Sequence, residues 1–96
     1  MDNIKFSVVE TNDDIILSAE GSNNSRSTIS IVEAINLLEI STINEYLIKI
    51  ENKIISKFSE IVYSDSMVEQ YNYLVPMMHK RDYVRNFLKE KGELHG

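Results

Sequence analysis

The sequence predicts an α+β fold, an N-terminal antiparallel β-hairpin packed on a bundle of three to four helices. Three observations predict it. Apolar residues alternate at period two over about 4–20 and recur at helical spacing over most of the remaining chain. Ser or Thr stands three positions ahead of Glu at three places where an apolar-periodic run begins. The whole chain is 96 residues with 43% hydrophobic and 26% charged side chains, which suits one domain over 1–96 with one small core.

In the first strand Ile4, Phe6 and Val8 alternate with Lys5 and Ser7, and in the second Ile15, Leu17 and Ala19 repeat the pattern. Thr11-Asn12-Asp13-Asp14 lies between them, residues that bond their own backbone and tolerate left-handed dihedrals, so the hairpin is expected to close near Asn12 and Asp13. Two strands alone are marginal in water. The hairpin is therefore expected to pack on helices or to take a third strand from another chain. Residues 21–27, rich in Ser and Asn, read as a polar loop.

The pairs Ser30 with Glu33, Thr42 with Glu45, and Ser66 with Glu69 have the spacing of a capping box, in which the hydroxyl and the carboxylate each satisfy an amide of the first helical turn. A first helix over about 31–40 is short and nearly all apolar, so it is read as buried. A second, about 43–63, carries Ile43, Leu47, Ile50, Ile54, Phe58 and Ile61 on one stripe, flanked by Ile48, Ile55 and Val62. Glu45, Lys49, Asn52, Lys53, Ser56 and Glu60 occupy its opposite face. That apolar arc spans about 160°, wider than one partner helix needs, and self-association is the expected consequence. A third helix over about 67–75 is expected to end at Pro76, and a fourth over about 78–91 to stop at Gly92.

The 15 acidic and 10 basic residues give a net charge of −5, unevenly distributed. Residues 1–75 hold 12 acids against 5 bases, and residues 76–96 hold 3 against 5. The overall sign makes nucleic acid an unfavoured partner, because phosphate affinity comes from clustered Lys and Arg. The absence of cysteine removes disulfides and thiolate chemistry and points to a reducing compartment, the cytoplasm. Neither an export signal nor a membrane-spanning run is visible, so no membrane role is expected.

No catalytic, metal-binding or cofactor-binding residues are expected. The only histidines, His79 and His95, have no carboxylate or second histidine at a ligating offset. Three glycines in the chain leave no phosphate-cradling loop, and no serine sits in a nucleophile elbow. The chain is expected not to be an enzyme.

Three groups of residues remain as candidates. On the second helix Asn44 and Glu51, a heptad apart, fall on the apolar arc among Leu47, Ile48, Ile55 and Val62. Polar residues on such a seam fix register or partner choice, snorkel to water, or, for Glu51, pair with a cation of the last helix. Acidic residues Asp2, Glu10, Asp13, Asp14 and Glu20 gather on the hairpin, with Asp13 and Asp14 at its turn, as a contact surface for another protein or as charges that keep an edge soluble. Arg81, Arg85 and Lys89 recur every four residues as a basic stripe, with Tyr83 and Tyr73 near by in sequence to stack on a ring.

In arrangement, a hairpin over 4–19 followed by an apolar helix resembles the small accessory proteins of phages and prophages of AT-rich bacteria. These include inhibitors of host defence proteins and oligomeric sponges for nucleotide signals. The resemblance covers architecture along the chain and rests on no motif, so it transfers no functional residue. It implies a non-enzymatic interaction protein, a homo-oligomer, that binds and inhibits a host macromolecule. The alternative is an oligomeric sponge holding an anionic, phosphate-bearing small molecule such as a nucleotide on the basic stripe, and a second alternative is a DNA-binding helical protein.

Overall fold

A computed structural model describes residues 4–21, 25–61 and 67–93, without the side chains of Met67 and Gln70. The fold is α+β. Strands β1 (Lys5–Glu10), β2 (Ile15–Glu20) and β3 (Arg26–Ile29) form an antiparallel meander in the order β1-β2-β3. Helix α1 (Ile31–Ala34) runs into a single 3₁₀ turn at Ile35–Leu37, and two long helices follow, α2 (Ile40–Ile61) and α3 (Met67–Glu90).

The first hairpin closes where its turn residues require. The Thr11 amide donates to the Asp14 carbonyl at 2.9 Å, and the Thr11 hydroxyl oxygen accepts from the Asp14 amide at 3.0 Å. The register then sets Phe6 opposite Ala19 and Val8 opposite Leu17, so the apolar members of both strands share one face. That face is the one covered by α2.

The third strand comes from this chain. Of residues 21–27, expected as a loop, Arg26 and Ser27 belong to β3, and ahead of it the Gly21 amide donates to the Ser25 carbonyl at 2.9 Å. β3 pairs Ser27 with Ala19 and Ile29 with Leu17. Arg26-Ser27-Thr28 offers no apolar alternation, so the period-two signal that reveals a strand is missing there. Main-chain bonding to β2 holds the strand, with an Arg26–Glu20 ion pair at 3.4 Å across it. β3 ends opposite Leu17, so no described strand pairs with Ile15 and Ile16 on that side of β2. The chain turns off into α1 and leaves a notch at that corner.

The helix expected over 31–40 is shorter than its apolar run. Ser30 caps it, its hydroxyl accepting from the Val32 amide at 3.2 Å, and Leu38 breaks it by taking an extended conformation, φ −91° and ψ 150°. The break lets Ile31, Ala34 and Ile35 enter the core while α2 takes its own direction, and it leaves Val32 and Leu37 outside. α2 starts at Ile40, three residues before the expected start, so Thr42 lies inside the first turn and is not the cap.

α3 is one helix where two were expected. It passes through Pro76 without ending, with Leu74 and Met77 buried on either side of the proline. Packing of this face holds the helix through a residue whose missing N–H leaves the Asn72 carbonyl without its helical donor. The C-terminus ends as expected: Gly92 takes φ 73°, its amide donates to the Lys89 carbonyl at 3.1 Å, and the Glu93 amide reaches the Leu88 carbonyl at 2.8 Å. The expectations for Asp2, Val62, Tyr63, Ser66 and His95 lie outside the described residues.

The core lies between two layers. Val8, Ile15 and Leu17 of the sheet share one core with Ile43, Tyr46, Ile50 and Ile54 of α2 and with Leu74, Met77, Val84 and Leu88 of α3. The molecule measures 52 × 33 × 16 Å, with a radius of gyration of 14.9 Å. A compact domain of this length has a radius of about 12–13 Å. The excess reflects a flat, two-layer body, and flatness leaves the far side of the helices with no third layer to cover it.

Candidate functional site

Ile48 and Ile55 lie a heptad apart on the far side of α2, about 160° and 140° round the helix from the buried Ile50. They are 61% and 63% exposed, and Phe58 beside them is 46% exposed. Phe58, expected in the core stripe, is thus part of the outer face, and Tyr46, which the stripe omitted, fills the core in its place. Leu47, expected both on the core stripe and at an interface, is 7% exposed and packs in the chain's own core.

Glu51 settles among the three roles open to it. Its carboxylate accepts from Arg85 Nη1 at 3.1 Å and so ties α2 to α3, with the Glu51 side chain 35% exposed. Asn44, half-buried, sits one heptad before it on the same flank of the Ile48–Ile55 stripe. The outer face therefore carries the two isoleucines, with Asn44, the Glu51–Arg85 pair and the exposed Phe58 along one heptad row beside them.

The acids of the hairpin all have partners in this chain among the described residues. Glu10 meets Lys53 at 2.6 Å, Asp13 lies 3.8 Å from Lys57, and Asp14 binds Lys80 at 3.2 Å. The hydrogen bond and charge of Lys53 hold the Glu10 carboxyl below its ordinary range. Tyr73 adds a tie, its hydroxyl donating to the Asp13 carbonyl at 3.2 Å. The hairpin tip is stitched to both long helices, and its negative charge is largely met within the molecule. Lys53, expected on a solvated face, has a side chain only 10% exposed because the hairpin lies over it. Sequence reasoning missed these anchors, although Lys49, Lys53 and Lys57 recur at four-residue spacing opposite a run of acids.

The basic stripe of α3 does not converge. Arg81 pairs with its neighbour Asp82 at 3.1 Å, Arg85 with Glu51, and Lys91 stands over the Phe87 ring at 5.4 Å. Lys89 is exposed. Tyr83 lies about 160° round α3 from Arg85, and Tyr73 is engaged with Asp13, so neither tyrosine stands beside Arg85. Among the described residues no group of three His, Asp or Glu side chains is placed to hold a metal ion.

A cleft of about 260 Å³ opens at the corner where β3 leaves β2. Ile15, Leu17 and Ile29 of the sheet, Ile31 of α1, Tyr46 of α2 and Lys80 of α3 line it. Burial, reinforced by the charge of Asp14, pushes the pKa of the Tyr46 hydroxyl up and keeps it protonated.

No protein-family model, curated protein or solved structure matches this chain. Among the described residues no helix is long and apolar enough to cross a membrane.

Proposed function

We propose that this chain is a non-enzymatic interaction protein that pairs with a second copy of itself through the outer face of α2. The observation that carries the reading is the exposure of Ile48, Ile55 and Phe58 on one helical face of a body only 16 Å thick. A heptad-spaced apolar pair matches a second helix carrying the same pair, since a two-fold axis between Ile48 and Ile55 sets each against the other of the partner.

Magnitudes decide how tight this pairing is. Six roughly half-exposed side chains, three from each copy, contribute about 1–2 kcal/mol each when covered. Against this stands the loss of free motion on association, on the order of 4–15 kcal/mol. The surplus is small, and association in the micromolar range or weaker is expected. The paired form presents two hairpin tips and two copies of α3, and capture and inhibition of a host macromolecule is the role proposed for it.

Sedimentation equilibrium over about 5 to 500 micromolar, a range that brackets the expected dissociation constant, tests the reading. The wild type is expected to shift from monomer to dimer across this range, and Ile48→Lys with Ile55→Lys to stay monomeric with unchanged circular dichroism. A wild type that is monomeric throughout would overturn it.

A further inference from the structure

We propose that the cleft at the β2–β3 corner is a binding site for a small uncharged molecule with an apolar body and one hydrogen-bonding group. It is separate from the pairing face, since Tyr46 and Ile48 stand about 160° apart round α2.

The site exists because of the sheet's register. β2 extends two residues past the point where β3 turns away, so Ile15 and Ile16 have no described strand beside them on that side, and Ile29, Ser30 and Ile31 form the opposite wall. A volume of 260 Å³ equals the share of about nine waters, enough for a molecule of on the order of ten non-hydrogen atoms. It sits just below the range of small-molecule pockets, about 300 Å³ and upward. Isoleucine, leucine and Tyr46 supply apolar contact, and Lys80 supplies donors.

Charge decides the class of ligand. Asp14 accepts from Lys80 Nζ at 3.2 Å through one carboxylate oxygen and from the Ile15 amide at 2.7 Å through the other. The carboxylate is thus fixed to the first residue of β2, and it holds the ammonium at the edge of the cleft. Lys80 is the one charged residue lining the cleft, and the Asp14 carboxylate, outside the lining, balances it. A ligand carboxylate meets an ammonium that is already paired, and a ligand ammonium meets a like charge, so either ion loses hydration without a net attraction. An uncharged ligand has no such cost. Its hydroxyl or carbonyl oxygen accepts one of the Lys80 ammonium protons that Asp14 does not use.

Three molecules of one shape test this on the full chain: benzyl alcohol, benzoate and benzylamine. Each is titrated to millimolar concentration while methyl carbon–proton spectra are recorded. Benzyl alcohol is expected to shift the methyl signals of Ile15, Leu17, Ile29 and Ile31 saturably, and the two ions to bind at least about tenfold more weakly. Thr28→Trp, on the exposed rim of the cleft, is expected to abolish the shifts while circular dichroism is unchanged. Shifts that do not saturate, or that centre on Ile48 and Ile55, overturn the site. Either ion binding as tightly as the alcohol overturns the assignment of ligand class. If Thr28→Trp does not fold, the comparison of the three molecules on the unmodified chain decides both points.

Discussion

Replacing Pro76 by alanine is expected to stabilise the protein. Pro76 lies inside α3 and is exposed, so the change removes little buried surface. In a helix interior proline costs about 3 kcal/mol relative to alanine, through the missing N–H and the crowding of the carbonyl four residues earlier, here that of Asn72. Its restriction of the unfolded chain offsets about 0.4–1 kcal/mol of this. The difference is a gain of about 2 kcal/mol for Pro76→Ala. In a domain of this size that raises Tm by roughly 8–16 °C. Urea titration is the assay: the midpoint should rise while the slope, which follows the surface exposed on unfolding, stays the same. An unchanged or lower midpoint at constant slope would refute the reasoning. It would mean that the burial of Leu74 and Met77 depends on the local geometry proline imposes.

Ile50, fully buried, should lose about 2–5 kcal/mol of folding stability on replacement by alanine, whereas Ile55→Ala should change monomer stability by no more than about 0.5 kcal/mol. Equal losses by thermal melts of the dilute protein would contradict the assignment of the two faces of α2. Because Lys53 holds the Glu10 carboxyl below its ordinary value of 4.5, their pairing stabilises the fold above that pH and is lost as pH falls through the lowered value. Glu10→Gln should therefore flatten the acid side of the stability profile relative to the wild type, and parallel profiles would show that the pair contributes nothing to it. At Gly92 an added Cβ would meet nothing within 4 Å, so Gly92→Ala should cost only the left-handed backbone conformation, about 1–2 kcal/mol. Hydrogen exchange at Glu93, whose amide bonds to Leu88, should speed up, and unchanged exchange would show that the cap is not held by glycine.

The hairpin was legible because its two strands bury alternate residues and its turn is built from residues that bond locally. β3 was hidden because Ser27 and Ile29 are all it offers to the inner face, and a strand held by main-chain bonds leaves no side-chain period. The split of 31–40 into a short helix and a 3₁₀ turn was hidden for a related reason: Ile31, Ala34 and Ile35 are spaced correctly for a longer helix, and only the direction that α2 must take breaks it. At the candidate site, the exposed pair Ile48 and Ile55 could be read from helical angles. Leu47 and Phe58 could not be told apart, since both fall on the predicted core stripe and only the tertiary packing covers Leu47 and leaves Phe58 out.

By itself the sequence determined the α+β class, the first hairpin with its turn, the existence of a long amphipathic helix and the glycine that ends the chain's last helix. All of these rest on interactions within a few residues or on a single period. The tertiary structure alone decided which cation Glu51 meets, that the hairpin's acids are answered by Lys53, Lys57 and Lys80, and that a cleft opens beside Tyr46. Each joins residues far apart in the chain, whose meeting depends on how the sheet lies across the helices, and no local spacing encodes that.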